Sequence, residues 1–397
     1  MLFEALRKPT PKNLLTSPEV FRYFEYAMFC MGWTHSEKFK ILYRLMSVFI
    51  TAWCVIYFPI GIIINLIFDS KSITPKELLN ILQLFFNALG TPIKVFFFRI
   101  YLWRFYKVKE ILYEMDKRCQ TEEEQLEVHR WVVRCNKVYL GYQALYTFYS
   151  LTSFLSSALT GQLVGIYNPF IDWRKSKQSF WLAASHENAL MIFSATHTMM
   201  SDIYPLLYGL IMKVHINLLR QRVEKLCKDP EKSDEENQRD LIKCIQDHRL
   251  LKQYADLIRP VIASTIFVQF LLIGILLGLS MINLLLFADI WSGLSTAVYI
   301  MGLLLQTFPF CYVCDLIQYD CGRLSVAVFH SNWLSSSKKY KGTLRFFLQN
   351  SQKSIAFIAG NIFPISTSTN ISVAKLAFTV ATFLNQLNIG EKLKKDK

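Results

Sequence analysis

The last long apolar segment, Asn361 to Leu387, is long enough to cross a bilayer yet carries a row of polar side chains. On a helix Ser368, Ser372, Lys375, Thr379, Thr382 and Gln386 recur at alternating steps of four and three, so they form one stripe. The stripe rises roughly 27 Å at about 1.5 Å per residue, close to the thickness of the hydrocarbon core. Lipid does not solvate such a row, which needs a polar partner or water. Two readings stand: hydroxyl glue between packed helices, or the wall of a water-filled path. Lys375 leans toward the second, because an ammonium at mid-membrane needs a wet or paired setting.

The rest of the chain sets the context. Of 397 residues 52% are hydrophobic and only 19% charged, and the apolar ones gather in long runs. That pattern predicts an all-α polytopic membrane protein, not a soluble chain of two or more domains. The net charge of +14 does not indicate nucleic acid, because the basic residues sit between the apolar runs, where positive cytosolic loops account for them. The first 40 residues show no clean apolar core for a cleavable signal, so the first span is expected to direct insertion. The sequon at Asn370 lies within the last span and is expected to go unused.

Seven spans are predicted: Ile41–Phe68, Leu78–Phe98, Lys137–Leu159, Phe180–Lys213, Ile258–Phe287, Leu294–Leu316 and Ser354–Leu387, the last broken near Gly360–Pro364. With the N-terminus in the cytosol, only nine of the 44 Lys and Arg residues fall outside and Lys375 lies within a span. The bias favours an inside N-terminus and an outside C-terminus, the reverse of a G-protein-coupled receptor. The predicted divisions are a cytosolic segment 1–40, a membrane region 41–317 with cytosolic extensions at 104–136 and 214–257, a last cytosolic loop and anchor helix at 318–353, and a pore helix with extracellular tail at 354–397. In this topology all nine cysteines lie in cytosol or membrane, so no structural disulfide is expected. Cys311 and Cys314 with Cys321 give weak support for a metal site, lacking a second pair or a nearby His. No cofactor is expected.

The fourth and fifth segments are overlong. Helices over 180–223 and 238–287 would run about 66 and 75 Å, so their polar halves should project into the cytosol and bundle there. Between them the charged loop 228–237 carries a helix start at Ser233. On the fourth segment Glu187 sits near the outer end, within reach of the interface, while His197 and Asp202 lie deeper and should face the bundle interior. Pro205 is placed to kink this helix. In the outer loop 161–177, Tyr167-Asn-Pro-Phe170 and Asp172-Trp173 have the composition of a packed lid or of an aromatic belt.

These features together resemble the insect odorant receptors, and within them the fly ligand-tuning subunits. The resemblance runs nearly end to end. It rests on Gln306-Thr-Phe-Pro-Phe-Cys-Tyr312, His330-Ser-Asn-Trp333, Leu344-Arg-Phe-Phe-Leu348, Gln352-Lys-Ser-Ile355, Phe363-Pro-Ile-Ser366 and Ser372-Val-Ala-Lys-Leu376. Met31-Gly-Trp33, Asp116-Lys-Arg118, Tyr167-Asn-Pro169 and Pro309 add to it.

The resemblance implies an odorant-gated, non-selective cation channel of four subunits, in which a tuning subunit works with a common co-receptor subunit in the plasma membrane of olfactory neurons. It implies a pore lined by the outer half of the seventh helix, with the constriction at Leu384 and Leu387 and Gln386 beside it. The co-receptor places a Val and a Gln at the two equivalent points, so Leu387 departs from that pattern. It also implies an odorant pocket in the outer halves of the second to fourth helices, closed by the fifth and sixth. Phe85, Phe86, Tyr146, Tyr149, Ser150, Phe154, Met191, Phe193 and Tyr299 are the lining candidates, each with core packing as the plainer alternative. Small volatile odorants would enter by desolvation, with a Ser or Tyr hydroxyl orienting an ester or ketone.

Enzyme motifs are absent: there is no phosphate-binding Gly loop, His-Glu-x-x-His or Gly-x-Ser-x-Gly. The receptor landmarks Asp-Arg-Tyr and Asn-Pro-x-x-Tyr are missing from the third and seventh spans, and no internal repeat suggests a transporter. The competing class is a gustatory-type channel that works without the co-receptor.

Overall fold

The computed structural model describes residues 14–34, 40–69, 73–286 and 290–386. Nearly everything in it is helix. A 3-10 turn (Ser17–Phe21) leads into α1 (Arg22–Cys30). The first long helical run is α2 (Lys40–Thr51), a π-helical stretch (Ala52–Tyr57) and α3 (Phe58–Asp69). Then come α4 (Pro75–Ile100), α5 (Leu102–Lys117), α6 (Glu122–Thr160), α7 (Lys177–Glu224), α8 (Asp234–Leu286) and α9 (Ile290–Phe329). The chain closes with α10 (Lys338–Ser351), a hairpin of β1 (Ile358–Ala359) and β2 (Phe363–Pro364), and α11 (Thr367–Gln386).

The helix starts are written in the local sequence. Thr74 accepts from Glu77 N at 3.2 Å while the Glu77 carboxylate accepts from Thr74 N at 2.8 Å, a capping box followed by Pro75. Ser233 and Glu236 make the same reciprocal pair at 2.9 and 3.3 Å, so α8 starts where the sequence placed it. Thr121 caps α6, three glutamates fill its first turn, and Gly161 ends it at φ +67°, a left-handed position that suits glycine.

By length and composition alone, four helices among the described residues could cross a membrane: Lys40–Phe68, Pro75–Ile100, Asp234–Leu286 and Gly293–Phe329. The other three predicted spans, on α6, α7 and α11, hold more polar side chain. On α7 much of it is buried against neighbouring helices, Glu187, His197 and Asp202 included. Interior burial is the setting in which polar groups persist at membrane depth.

Helices α7 and α8 are continuous over 48 and 53 residues, roughly 72 and 80 Å, so their overlength is real. Pro205 sits inside an unbroken α7. One expectation is corrected. The seventh span does not begin at Ser354: helix starts only at Thr367, and the preceding residues fold into the hairpin. There Gly360 N donates to Ala263 O at 2.9 Å and Ile365 N to Phe357 O at 3.0 Å. Pro364 and the left-handed Gly360 and Asn361 (φ +56° and +58°) break the helical run. The helix that carries the sixth predicted span runs on past Leu316 to Phe329, so the last predicted loop opens as helix.

One aromatic core ties the inner half together. Phe24 and Phe98 meet at 5.7 Å, Phe98 and Tyr204 at 5.0 Å, Phe21 and Tyr208 at 5.2 Å, and Tyr208 and Tyr254 at 6.3 Å. Residues on the 3-10 turn, α1, α4, α7 and α8 thereby share one interior. Ser17 fastens the turn. Its N–H and hydroxyl each donate to Asp116 at 2.6 Å, and the same hydroxyl lies 2.9 Å from His215 Nε2. Burial pushes the Asp116 carboxyl up to about 6, against the pull of the Ser17 hydrogen bonds. It pushes His215 down to about 3, so that imidazole is neutral. Beside them Arg222 bridges Glu124 (2.7 and 3.0 Å) and Asp247 (2.7 Å), and Arg118 contacts the same Asp247. Four helices, α5 to α8, are cross-linked there by charge.

Candidate functional site

The stripe on α11 stands on the outside of the chain. Ser368, Ser372, Lys375, Thr379 and Gln386 are exposed and Thr382 is half-buried, whereas Asn370, Ala377 and Ala381 are buried. At about 100° per residue these two sets lie on opposite sides of the helix. The packed side meets α8 and α9: Ala377 shares a cluster with Ile273, Leu276, Leu277 and Leu303, and Asn370 donates to Thr307 Oγ1 at 2.9 Å. Packing within the chain is therefore not what the stripe does. Its hydroxyls are satisfied locally, Ser372 donating to Ser368 O and Thr379 to Lys375 O, each at 2.9 Å. Lys375 makes no ion pair with any described residue. Leu387 lies outside the described residues, and nothing is described of the Leu384 side chain.

The foot of α11 is held by α9. The Asp315 carboxylate accepts from Thr367 N at 3.0 Å and from the Thr367 hydroxyl at 2.5 Å, an acidic cap supplied by another helix. On the hairpin side, a Cβ built on Gly360 would lie 2.6 Å from the Phe267 ring of α8. Both contacts fix where α11 leaves the bundle.

Seven of the nine lining candidates fall into three neighbourhoods. Phe85, Met191 and Phe193 pack with Trp53, Tyr57 and Ile62 of the first long run. Phe86 and Tyr299 belong to the cluster that holds α11, with Val373 and Ala374. Phe85 and Phe86 touch at 5.5 Å and so join those two groups. Ser150, Phe154 and Met191 line a cavity of about 10 Å³ between α6 and α7, shared with Ser153, Ser157, Val164, Ala184, Glu187 and Asn188. Tyr149 is exposed on α6.

Tyr146 leads to a feature that the sequence reading passed over. Its hydroxyl donates to Asp202 Oδ2 at 2.9 Å, and Lys94 Nζ donates to Asp202 Oδ1 at 2.6 Å. Gln306 lies against the same tyrosine and accepts from Gln269 Nε2 at 2.8 Å. Five helices thus contribute to one buried polar network. The signal was there: opposite charges inside two apolar runs are expected to find each other.

Glu187 also differs from expectation. It does not reach the interface but is 4% exposed, and its two oxygens accept from Val164 N and Ile166 N at 2.9 and 3.0 Å. Tyr57 donates to Tyr167 O at 2.6 Å, and Tyr167 N donates to Gly61 O at 3.1 Å. The outer loop is accordingly pinned over the helix ends at Tyr167, while Phe170 is 94% exposed.

Metal-ligand residue types converge, among the described residues, at Asp116, Cys119 and His215, within 4.8 Å of one another. Ser17 already binds two of them and the Arg222 guanidinium lies 3.6 Å from the Cys119 sulfur, so the group serves as a fastening.

The sequence profile of the 7tm Odorant receptor family matches residues 74–378. The chain belongs to the insect odorant receptor family. It is 63% identical to Odorant receptor 98a of Drosophila melanogaster and 41% identical to Odorant receptor 42b of the same fly, over the full length of each chain. Among solved structures, the insect olfactory receptor OR5 of Machilis hrabei superposes with a TM-score of 0.76 over 94% of this chain and 99% of that one, at 15% identity. The same receptor in complex with eugenol gives 0.74. These matches establish the polytopic helical fold of an odorant receptor.

Proposed function

We propose that this odorant receptor is the ligand-binding, tuning subunit of an odorant-gated, non-selective cation channel, assembled with a co-receptor subunit in the plasma membrane. The observation that carries the reading is the outward-facing polar stripe of α11, set opposite the face packed on α8 and α9. A row of hydroxyl, amide and ammonium groups roughly 27 Å long is costly in lipid and suited to water shared between subunits. In this reading Ser368, Ser372, Lys375, Thr379, Thr382 and Gln386 face the conduction path, with Leu384 and Leu387 toward its outer end.

Odorants bind in the outer bundle among the lining candidates. The eugenol complex of the Machilis receptor supports a small volatile ligand for this fold. Phe86 and Tyr299 share a cluster with Val373, Ala374 and Ala377 of α11, giving ligand and pore regions a common wall. An odorant that binds the open arrangement more tightly shifts the equilibrium toward it. The inner ends of α5 to α9 with α10 form the cytosolic anchor, the N-terminus lying inside and the C-terminus outside.

The test is expression in cells lacking odorant receptors, with and without the insect co-receptor, while G-protein signalling is blocked. Fast odorant-evoked cation current only with the co-receptor is the expected result. Current from this chain alone would make it a gustatory-type channel, and responses needing G proteins would remove the channel reading.

A further inference from the structure

The small cavity between α6 and α7 contains an amide with nothing to bond. Asn188 makes no hydrogen bond with any described residue, and its Oδ1 is out of contact with solvent. Across the cavity stand Ser150, Ser153 and Ser157, at steps that place all three on one face of α6. Apolar walls come from Phe154, Met191, Val164 and Ala184.

Two of the other polar groups at the site are already engaged. Each Glu187 oxygen already accepts a loop N–H, so part of that carboxylate's acceptor capacity is spent on the loop. Ser150 donates to Tyr146 O at 3.1 Å and keeps only its lone pairs. What remains is an amide without a partner, facing serine hydroxyls that can rotate to donate or accept. A buried unpaired amide oxygen is a standing cost, removed by a ligand group that donates to it.

A carbonyl compound can only accept. It satisfies the amide NH₂ and leaves the oxygen bare. A hydroxyl donates and accepts at once, so it can give its proton to Asn188 Oδ1 and take one from a serine. From these observations we infer that Asn188 is a specificity-determining residue and that the cavity selects hydroxyl-bearing odorants, small alcohols or phenols, over carbonyl compounds of the same skeleton. This deepens the proposed function and rests on its placement of the ligand in the outer bundle.

At about 10 Å³ the cavity is the size of a single water, so an alcohol enters only as α6 and α7 part beneath the pinned loop. Apolar walls let the alkyl chain follow the hydroxyl at little cost.

The test uses the purified full-length chain and reads thermal stabilisation by 2-heptanol and 2-heptanone, which share a carbon skeleton and differ in the donor. That readout needs no current and so stands apart from the channel reading. The wild type should bind the alcohol roughly tenfold more tightly than the ketone. In Asn188→Leu the ratio should collapse to about one, through loss of the alcohol and not gain of the ketone, whereas Asn188→Thr should keep part of the preference. Equal stabilisation of the wild type by both, or a preference that survives Asn188→Leu, would overturn the inference. So would stabilisation by neither, which would leave the cavity as a site for one water. Should the leucine variant not fold, the wild-type ratio and the threonine variant still decide. Alcohol selectivity in binding without any odorant current would uphold the cavity's role and sink the channel.

Discussion

Lys94 of α4 and Asp202 of α7 meet at 2.6 Å with side chains only 4% and 2% exposed, and the Tyr146 hydroxyl completes the carboxylate's shell. A pair so enclosed depends on both members, because removing one leaves the other charged and unsolvated. Lys94→Met or Asp202→Leu should each destabilise the receptor by roughly 3–5 kcal/mol, whereas the double variant should recover most of that loss. Thermal unfolding of the purified single and double variants checks this. Additive losses would mean that the pair is not coupled.

That pair also marks the boundary of what the sequence disclosed. The number and order of spans, the overlong α7 and α8, and the α8 start at Ser233 follow from apolar runs and capping chemistry, which are local. The α11 stripe was legible because its period is helical. Lys94 and Asp202 lie 108 positions apart, and nothing local to either names the other. Glu187 was read as interfacial because its depth, not its partners, was visible; the loop N–H groups that hold it come from another segment. The α11 start was misplaced for a similar reason. The break near Gly360–Pro364 was legible in its Gly and Pro, but that the residues around it form a hairpin depends on the docking of Gly360 on Ala263, which is not local.

On the inner side, the Asp116 carboxyl gives a pH prediction. Its folded value of about 6 lies above its ordinary 3.8 because burial penalises the charge. An acid raised in this way costs nothing at pH values where both states are protonated. Its cost grows as pH rises through the ordinary value and levels off above the raised one. Asp116→Asn removes the charge but keeps only one acceptor, so one of the two hydrogen bonds from Ser17 is lost at every pH. The variant should be less stable than the wild type near pH 3, by the lost Ser17 bond, and should gain up to about 3 kcal/mol relative to that offset by pH 6.5, with little further gain above. His215, held neutral by burial, opposes this trend in the wild type, losing stability as pH falls below its ordinary 6.5 toward about 3. Stability measured as the difference between the two proteins across pH isolates the Asp116 share. A variant that loses ground to the wild type as pH rises would contradict the assignment.

Gly360 is required twice over, by its φ of +56° and by the Phe267 ring 2.6 Å from where a Cβ would stand. Gly360→Val should cost roughly 1–3 kcal/mol from backbone strain, with added loss from displacing the ring. Its neighbour Asn361 shares the left-handed backbone at φ +58°, and Asn361→Gly should be neutral to slightly stabilising. Surface expression and thermal unfolding of the two variants give opposite signs if the hairpin seats α11 as described.

Lys375 presents the sharpest test of the conduction path. It is exposed on the stripe, and none of the described carboxylates pairs with it. Were several copies to converge on one axis, their ammonium groups would repel one another and the permeant cations alike. In the proposed channel, a neighbour without a cation at that level relieves both penalties, so the charge would favour mixed assembly over self-assembly. Replacing Lys375 with Gln should raise single-channel cation conductance about twofold in the assembled channel, and Lys375→Glu should raise it further. The gain should shrink at high salt, because screening weakens the field of an ammonium facing water. The same neutral variant should also ease assembly of the chain with itself, seen as cation current without the co-receptor. Conductance and assembly that ignore all three side chains would place Lys375 off the axis, with its charge turned toward lipid headgroups.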